Sequence, residues 1–415
     1  MRLSNLYTKT IKNNPSDEQS LNAQLLIRAG FIHKEMAGVY SYLPLGKRVL
    51  DNISKIIREE MNNLGCLEVQ MSILQPKEIW EITDRWDDKK VDIWFKTKLY
   101  NGQELGIGLT HEEPIVDSLK SYIDSYKSLP VYVYQIQNKF RNELRAKSGL
   151  LRGREFLMKD LYSFSESQEG HRKFYEKVIK SYQNIYSKLE LGDFTYRTYA
   201  DGGIFSKSFS DEFQTISPIG EDDIYVDEVK KIAINAEIYN DLNLKKLSLD
   251  KSSLVLKKGV EVGNTFSLES KYTDALDLYY TDKNGHKKSI IMGCYGIGVS
   301  RLMGVIAEVF ADSNGLVWPN CIAPFKVYLI SVNEDPKSKQ KTEVIYKLLT
   351  QKNIDVIYDD RDVRAGEKFA DADLLGIPYR VVVNQNFEDK QVELKHRKQN
   401  KIEFVQFDRL ESIIY

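Results

Sequence analysis

At 415 residues the chain is longer than one ordinary hydrophobic core supports, so two or three domains are expected. With 42% hydrophobic and 29% charged residues and only 10 prolines, the composition is globular and excludes a disordered or collagen-like chain. A net charge of -1 argues against indiscriminate polyanion binding and leaves any contact with phosphates to local basic patches.

No apolar run reaches membrane-spanning length, and MRLSNLYTKTIKNNPSD lacks the apolar core of a signal peptide, so a cytoplasmic protein with no membrane partner is expected. Cys66, Cys294 and Cys321 are widely spaced, which fits a reducing compartment. The five histidines show no metal-ligand spacing, so no zinc site is expected.

Val49, Ile53, Ile56, Ile57, Met61 and Leu64 recur at helical spacing and predict an amphipathic helix over 46–64, stopped by Gly65. A strand, CLEVQMSIL, is expected next, ending at Pro76. The alternation in VYVYQIQNKFR predicts a second strand over 131–141. One of its faces carries Val131, Val133, Gln135, Gln137, Lys139 and Arg141, and turns polar towards its end. After a loop with Arg145, Lys147, Ser148 and Gly149, RGREFLMKD predicts a return strand on which Arg152, Arg154, Phe156 and Met158 share one parity. A β-hairpin with arginines and one aromatic ring on a common face is the expected result.

Residues 288–310 read as a strand (KSIIMG), a glycine-rich turn (CYGIG) and a helix (VSRLMGVIAEVF) with Leu302, Val305, Ile306, Val309 and Phe310 in its apolar stripe. Beyond WPNCIAP the pattern changes. KVYLISV, an amphipathic stretch around 344–349, DVIYDD, FADADLLG, YRVVV and QVELKH alternate as a small α/β domain, with the main boundary near Ala323–Pro324.

Arginines at polar strand ends are commonly solvated or paired with carboxylates. Arg301 adds a second cation in the first turn of a helix, where it opposes the macrodipole unless it faces an anion shared with the amides of GCYGIG. Gly293, Gly296 and Gly298 would let a ligand approach the main chain closely. No G-K-[ST] follows, so a P-loop is excluded.

FRNE (140–143) followed by RGREF (152–156) resembles motif 2 of the class II aminoacyl-tRNA synthetases, and GIGVSR (296–301) resembles motif 3. The helix and strand ending at Pro76 resemble motif 1, the dimer-interface element. Longer strings resemble the bacterial prolyl type, in order along almost the whole chain: LTHEE (109–113), FRNELRAKSGLLRGREFLMKDLYSF (140–164), GEDDI (220–224), MGCYGIGVSRL (292–302) and DDRDVRAGEKFADADLLGIPYRVVV (359–383).

This resemblance implies an α+β fold: an antiparallel sheet flanked by helices, followed by an α/β anticodon-binding domain. Residues 1–224 would be the first part of the catalytic domain, 225–260 the remnant of an insertion region, 261–323 the second part and 324–415 the anticodon-binding domain. The implied activity is ATP-dependent activation of L-proline and its transfer to tRNA(Pro), by a homodimer. Arg141 would hold the α-phosphate of ATP, Glu143 the adenine amino group, Phe156 the adenine ring, and Arg152 and Arg301 the outer phosphates, over Gly296 and Gly298. Glu212 would be a ligand of Mg2+.

For proline the resemblance implies Thr110, Glu112, Arg141 and Cys294, with Glu112 pairing with the secondary ammonium. A structural alternative is that Thr110-x-x-Glu113 is a capping box, although Pro114 would favour a cap at Glu113. For tRNA it implies Arg145 at the acceptor stem and Arg361, Lys368 and Asp371 at the anticodon; charges on a short helix otherwise face solvent. The chain departs from the family at Asp211 and Asn264, where histidines are usual, the first of them in the proline pocket. Only 37 residues separate Asp223 from Glu261, where the typical bacterial enzyme carries an editing domain. The alternatives are a synthetase for threonine or serine, a synthetase-like binding module without catalysis, and a basic RNA-binding protein.

Overall fold

The computed structural model describes residues 1–144, 146, 148–203, 209–332, 335–385 and 390–414. The chain forms two compact units, one of residues 37–39 and 54–305, the other of residues 1–36, 40–53 and 306–415.

The first predicted helix is present as α1 (Pro44–Asn63), with Val49, Ile53, Ile57 and Met61 fully buried. Gly65 follows in the left-handed region that glycine adopts without strain (φ 76°). The expected strand to Pro76 is instead two short ones in different sheets. Leu67–Glu68 (β1) pairs in parallel with Val133–Tyr134, whereas Leu74–Pro76 pairs with Glu104–Ile107 in a three-stranded sheet. Between them side chains replace the ladder: Met71 N donates to Gln135 Oε1 (3.0 Å) and Met71 O accepts from Gln137 Nε2 (3.0 Å).

The larger unit is built on a nine-stranded sheet. After β1 come β2 (Val131–Phe140), β3 (Glu155–Ser165), β4 (Thr195–Ala200), β5 (Ser210–Ile216), β6 (Asp222–Asp227), β7 (Ile232–Asn235), β8 (Leu254–Glu269) and β9 (Ile291–Gly298), in the order β5-β4-β7-β6-β8-β9-β3-β2-β1. β8 is long enough to serve three partners. Leu254–Gly259 pairs with β6, Gly259–Thr265 with β5 and Gly263–Glu269 with β9. Residues 225–260 are woven into this sheet, because β7 runs parallel to β4.

Helices cover both faces. α2 (Glu112–Leu119) packs with Tyr162, Leu268, Tyr272 and Cys294. On the opposite face α3 (Gln168–Lys188) sets Phe174 against Tyr295, ring centroids 5.9 Å apart. The adjacent residues Cys294 and Tyr295 thus serve opposite layers, as strand alternation requires.

One expectation is corrected here. CYGIG is not a turn: β9 runs to Gly298, and α4 (Val299–Val309) starts at the next residue. Gly293–Ile297 is paired with β8 on one edge and β3 on the other, so these amides run in the ladders and form no anion cradle.

In the other unit the predicted α/β pattern is present as β10 (Val327–Ser331), α5 (Pro336–Gln351), β11 (Val356–Asp359), α6 (Ala365–Leu375), β12 (Tyr379–Val383) and β13 (Gln391–His396), with β14 (Lys401–Gln406) in addition. The sheet order is β11-β10-β12-β13-β14. Asp335 caps α5 by accepting from Ser338 N (2.9 Å), with Pro336 in the first turn. The first residues of the chain join this unit. Arg2 bridges to Tyr358 and ion-pairs with Glu343, and Thr10 Oγ1 donates to Asp371 Oδ1 (2.6 Å).

Candidate active site

Arg141 follows directly on β2, its N–H held by Arg154 O (2.8 Å). Its side chain enters a cleft lined by Glu143, Arg152, Phe156, Glu261, Gly298 and Arg301, continuous with a polar cavity of about 220 Å³ that reaches Glu221 and Asp222. The guanidinium stacks 5.3 Å from the Phe156 centroid, and its buried Nε has no hydrogen-bond partner among the described residues. Burial and then the neighbouring Arg301 pull the Arg141 guanidinium below its ordinary pKa. Two cations crowded at a cleft, one with an orphaned N–H, are arranged to receive an anion.

Arg301, the third residue of α4, is fixed by Leu151 O (2.8 Å), by the main-chain oxygen of Glu261 and by Glu261 Oε2 (3.3 Å). Gly298 lines the cleft, and side chains crowd both motif glycines. A Cβ on Gly296 would stand 2.7 Å from Met158 Cε and 2.8 Å from Asn264 Oδ1, and one on Gly298 would stand 3.1 Å from Arg301 Cβ. Asn264 itself lines the cleft and donates to Glu261 Oε1 (2.8 Å).

The common face of arginines is present only in part. β3 begins at Glu155, so Arg152 and Arg154 precede it and share no strand parity. Arg152 turns into the cleft, pairing with Glu143 Oε2 and with Glu221 Oε2 (2.9 Å each). Arg154 turns away, to Glu143 O (3.0 Å) and Ala37 O (2.8 Å).

Thr110, Glu112 and Cys294 are brought together in a buried cluster. Thr110 Oγ1 contacts both Glu112 carboxylate oxygens (2.8 Å), and Cys294 Sγ donates to Glu112 Oε1 (3.4 Å). The capping box is not formed: α2 starts at Glu112 after His111, and no side chain caps it. Arg85, which sequence reasoning missed, donates through Nη1 to Glu112 Oε2 (3.2 Å) and to both oxygens of Glu113 (3.0 Å). Its guanidinium lies over the rings of Trp80 (5.0 Å) and Tyr272 (5.5 Å). The charges of Glu261, Glu143 and Glu112 all act to keep Arg141 protonated, which relates this cluster to the cleft.

Beneath Glu112 lies a second buried network that the sequence did not reveal. Lys139 pairs with Asp160 Oδ1 (2.7 Å) and donates to His111 Nδ1 (3.0 Å), so His111 carries its proton on Nε2 and donates it to Ser72 O (3.1 Å). Burial, reinforced by Lys139, pushes the His111 pKa down to about 4. Asp160 Oδ2 also accepts from Tyr162, whose hydroxyl in turn receives His111 N (3.2 Å). The main chain bearing Thr110 and Glu112 is thereby tied to β2 and β3.

Glu212, on β5, accepts from Gln214 (2.9 Å) and Asn235 (3.4 Å); burial and then Glu261 hold its carboxyl well above the usual range. Among the described residues no group of three or more His, Cys, Asp or Glu side chains could by itself hold a metal. Oxygen donors of this kind suit a hard cation completed by phosphate oxygens and water. Asp211 faces the other way. It pairs with Arg197 (2.7 Å) and accepts from Tyr175 (2.8 Å) on the α3 side, so its departure from the family pattern does not reach Glu112.

In the other unit, Arg361 donates to Asp359 (2.8 Å) and Asp371 (2.7 Å), and Lys368 to Ser331 O (3.2 Å). Lys368 and Asp371 are buried and do not form a solvent-facing row. Arg145 lies outside the described residues.

Residues 95–310 match the family model described as the tRNA synthetase class II core domain (G, H, P, S and T), and residues 326–415 match the anticodon binding domain. The chain is 39% identical over 426 residues to the proline–tRNA ligase of Rickettsia bellii (strain OSU 85-389), covering 99% of this chain and 97% of that one. Its fold is similar to the prolyl-tRNA synthetase of Cryptosporidium parvum complexed with halofuginone and AMPPNP (TM-score 0.78, 16% identity, 95% of this chain and 75% of that chain). It is similar also to that of Giardia lamblia in complex with prolyl-adenylate (TM-score 0.77, 18% identity, 94% of this chain and 75% of that chain). A class II core, an anticodon-binding domain and full-length identity at this level together establish that the chain belongs to the proline–tRNA ligase family.

Proposed function

We propose that the chain activates L-proline with ATP, forming prolyl-adenylate and pyrophosphate, and then transfers the prolyl group to the 3′ end of tRNA(Pro). The observation that carries this reading is the position of Arg141, in the cleft with Phe156 and Arg301 and within electrostatic reach of Glu112. In this reading Glu112 receives the secondary ammonium of proline, Thr110 orients Glu112, and Cys294 forms part of the pocket wall.

The carboxylate of proline attacks the α-phosphate, where negative charge grows, and Arg141 stabilises that charge from a preorganised position. Phe156 stacks on adenine, Glu143 accepts from its amino group, and Gly296 and Gly298 admit the nucleoside. Arg152 and Arg301 hold the outer phosphates. Catalysis is positioning and charge stabilisation, with no protein nucleophile. The oxygen donors present fit Mg2+, which Glu212, with Glu261 alongside, would hold; when bound it polarises phosphate oxygens.

For tRNA, Arg145 would meet the acceptor stem and Arg361 the anticodon, with Asp371 and Lys368 fixing its setting. Residues 1–224 and 261–323 would be the catalytic domain, 225–260 a remnant insertion in place of an editing domain, and 324–415 the anticodon-binding domain. The Rickettsia bellii relative matches over 97% of its own length, which supports an enzyme of this compact form. The exposed Leu67 and Leu74, in the segment that follows α1, support a homodimer. The expected location is the cytoplasm; among the described residues no helix is long and apolar enough to cross a membrane.

The test is ATP–pyrophosphate exchange against each of the twenty amino acids. Proline should support it best, with only a weak signal from alanine. A threonine or serine signal would reassign the substrate, and silence with all twenty would leave a binding module.

A further inference from the structure

Residues 108–111 join the Glu104–Ile107 strand to α2 and belong to neither. Thr110 and His111 are buried there, so the peptide unit between them needs partners from elsewhere. A helical continuation would offer Thr110 O the N–H of residue 114, but that residue is proline and has none. Two side chains take over. Gln75 Nε2 donates to Thr110 O (2.9 Å), and His111 N donates to the Tyr162 hydroxyl (3.2 Å). Both bonds end on one peptide unit, its carbonyl gripped from one side and its N–H from another.

The two grips come from different sheets. Gln75 lies in the Leu74–Pro76 strand, fully buried, and its Oε1 has no hydrogen-bond partner among the described residues. A buried amide with an idle acceptor is a poor source of stability; the bond to Thr110 O is what it supplies. Tyr162 lies on β3, directly across from Cys294 on β9. Its hydroxyl donates to Asp160 Oδ2 (2.8 Å), which turns its lone pairs to His111 N. Asp160 is itself set by Lys139 (2.7 Å) and Gln135 (2.9 Å).

The plane of this peptide fixes the backbone on both sides, with His111 held at φ −136° and ψ 23°. On one side is Thr110, whose Oγ1 contacts both Glu112 oxygens at 2.8 Å; on the other is Glu112, the first residue of α2. Turning the plane displaces both side chains, and a misplacement of about 1 Å costs on the order of 10²-fold in an aligned site.

We propose that Gln75 and Tyr162 are positioning residues for the amino-acid substrate: together they fix the plane of the Thr110–His111 peptide and, through it, the aim of Thr110 and Glu112. This rests on the reading of Glu112 as the carboxylate that receives the amino group of proline. Both residues act through the peptide, and neither lines the cleft of Arg141 and Arg301.

The test is a double-mutant cycle in the full chain, read by proline-dependent pyrophosphate exchange. Gln75→Met and Tyr162→Phe nearly preserve side-chain volume and remove one grip each. Each should raise KM for proline on the order of fivefold or more, the scale of one hydrogen bond. The kcat and the KM for ATP should stay within about twofold, because the binding lost is common to ground and transition states. A merely structural defect reduces the active fraction, and hence kcat, without that split. Since both bonds orient one plane, the double variant should be at most about twofold worse than the poorer single variant, whereas independent effects would multiply to about 25-fold.

A KM for proline within about twofold of the parent in either single variant, or full multiplication in the double variant, overturns the proposal. If Tyr162→Phe fails to melt cooperatively, Gln75→Met decides by its own KM. Glu112→Gln tests the underlying reading separately. It should raise KM for proline at least as far as either grip variant, and a parent-like KM there would defeat the assignment of Glu112 whatever Gln75 and Tyr162 do.

Discussion

The guanidinium carbon of Arg141 lies 5.3 Å from the centroid of the Phe156 ring, and Phe156 pairs across the hairpin with Lys139, two residues before Arg141. The hairpin thus places a cation and an aromatic face side by side in one cleft. Arg141→Ala should reduce proline-dependent pyrophosphate exchange on the order of 10²-fold or more, the scale of losing a preorganised charge stabiliser. Arg141→Lys should not rescue it, because an ammonium lacks the planar fork. Near-normal exchange in a folded Ala variant would overturn the assignment.

The buried His111 gives stability a defined pH dependence. Its folded pKa is pushed down to about 4 from 6.5, so between these values the unfolded state binds more protons. Its contribution is therefore complete above pH about 6.5 and is lost as pH falls towards about 4, at up to about 1.4 kcal/mol per pH unit. Denaturation midpoints measured across this range should fall less steeply for His111→Gln than for the parent. Parallel slopes would show that His111 is not held neutral.

Asp160 is the partner that allows Lys139 to be buried, at 2.7 Å. Asp160→Asn should cost about 3–5 kcal/mol in chemical denaturation, since it strands a buried ammonium. Adding Lys139→Met should recover much of that loss. A cost below about 1 kcal/mol in the single variant would mean that water reaches the site.

Alanine is smaller than proline and can enter the same pocket. Apolar fit discriminates by only about 1–3 kcal/mol for a missing methylene, a limit illustrated by aminoacyl-tRNA synthetases themselves. Slow formation of alanyl-tRNA(Pro) without hydrolysis by the same chain is expected, measured with labelled alanine. Rapid deacylation of purified Ala-tRNA(Pro) would refute it.

Strand alternation made β2 legible, because Gln135, Gln137 and Lys139 do share a parity. It could not show that Gln135 and Lys139 are buried, since burial depends on His111 and Asp160 arriving from elsewhere. CYGIG misled for a related reason. Glycine is read as a turn former, yet here it is required by Met158 and Asn264 standing where a Cβ would be. Arg85 left no local pattern at all: its partners come 27 and 28 positions later, at the start of α2. The Arg152 and Arg154 side chains diverge because they precede β3, and periodicity does not fix where a strand begins.

The pairing of β9 on both edges has a consequence for tolerance to change. A phosphate cradle made of main-chain N–H groups survives most point substitutions, because nearly every amino acid carries the same donor. Here the glycine-rich segment has committed those donors to its neighbours. In the proposed reading anion holding then passes to individually encoded guanidinium groups, and a single missense codon at Arg141 or Arg301 should silence the enzyme.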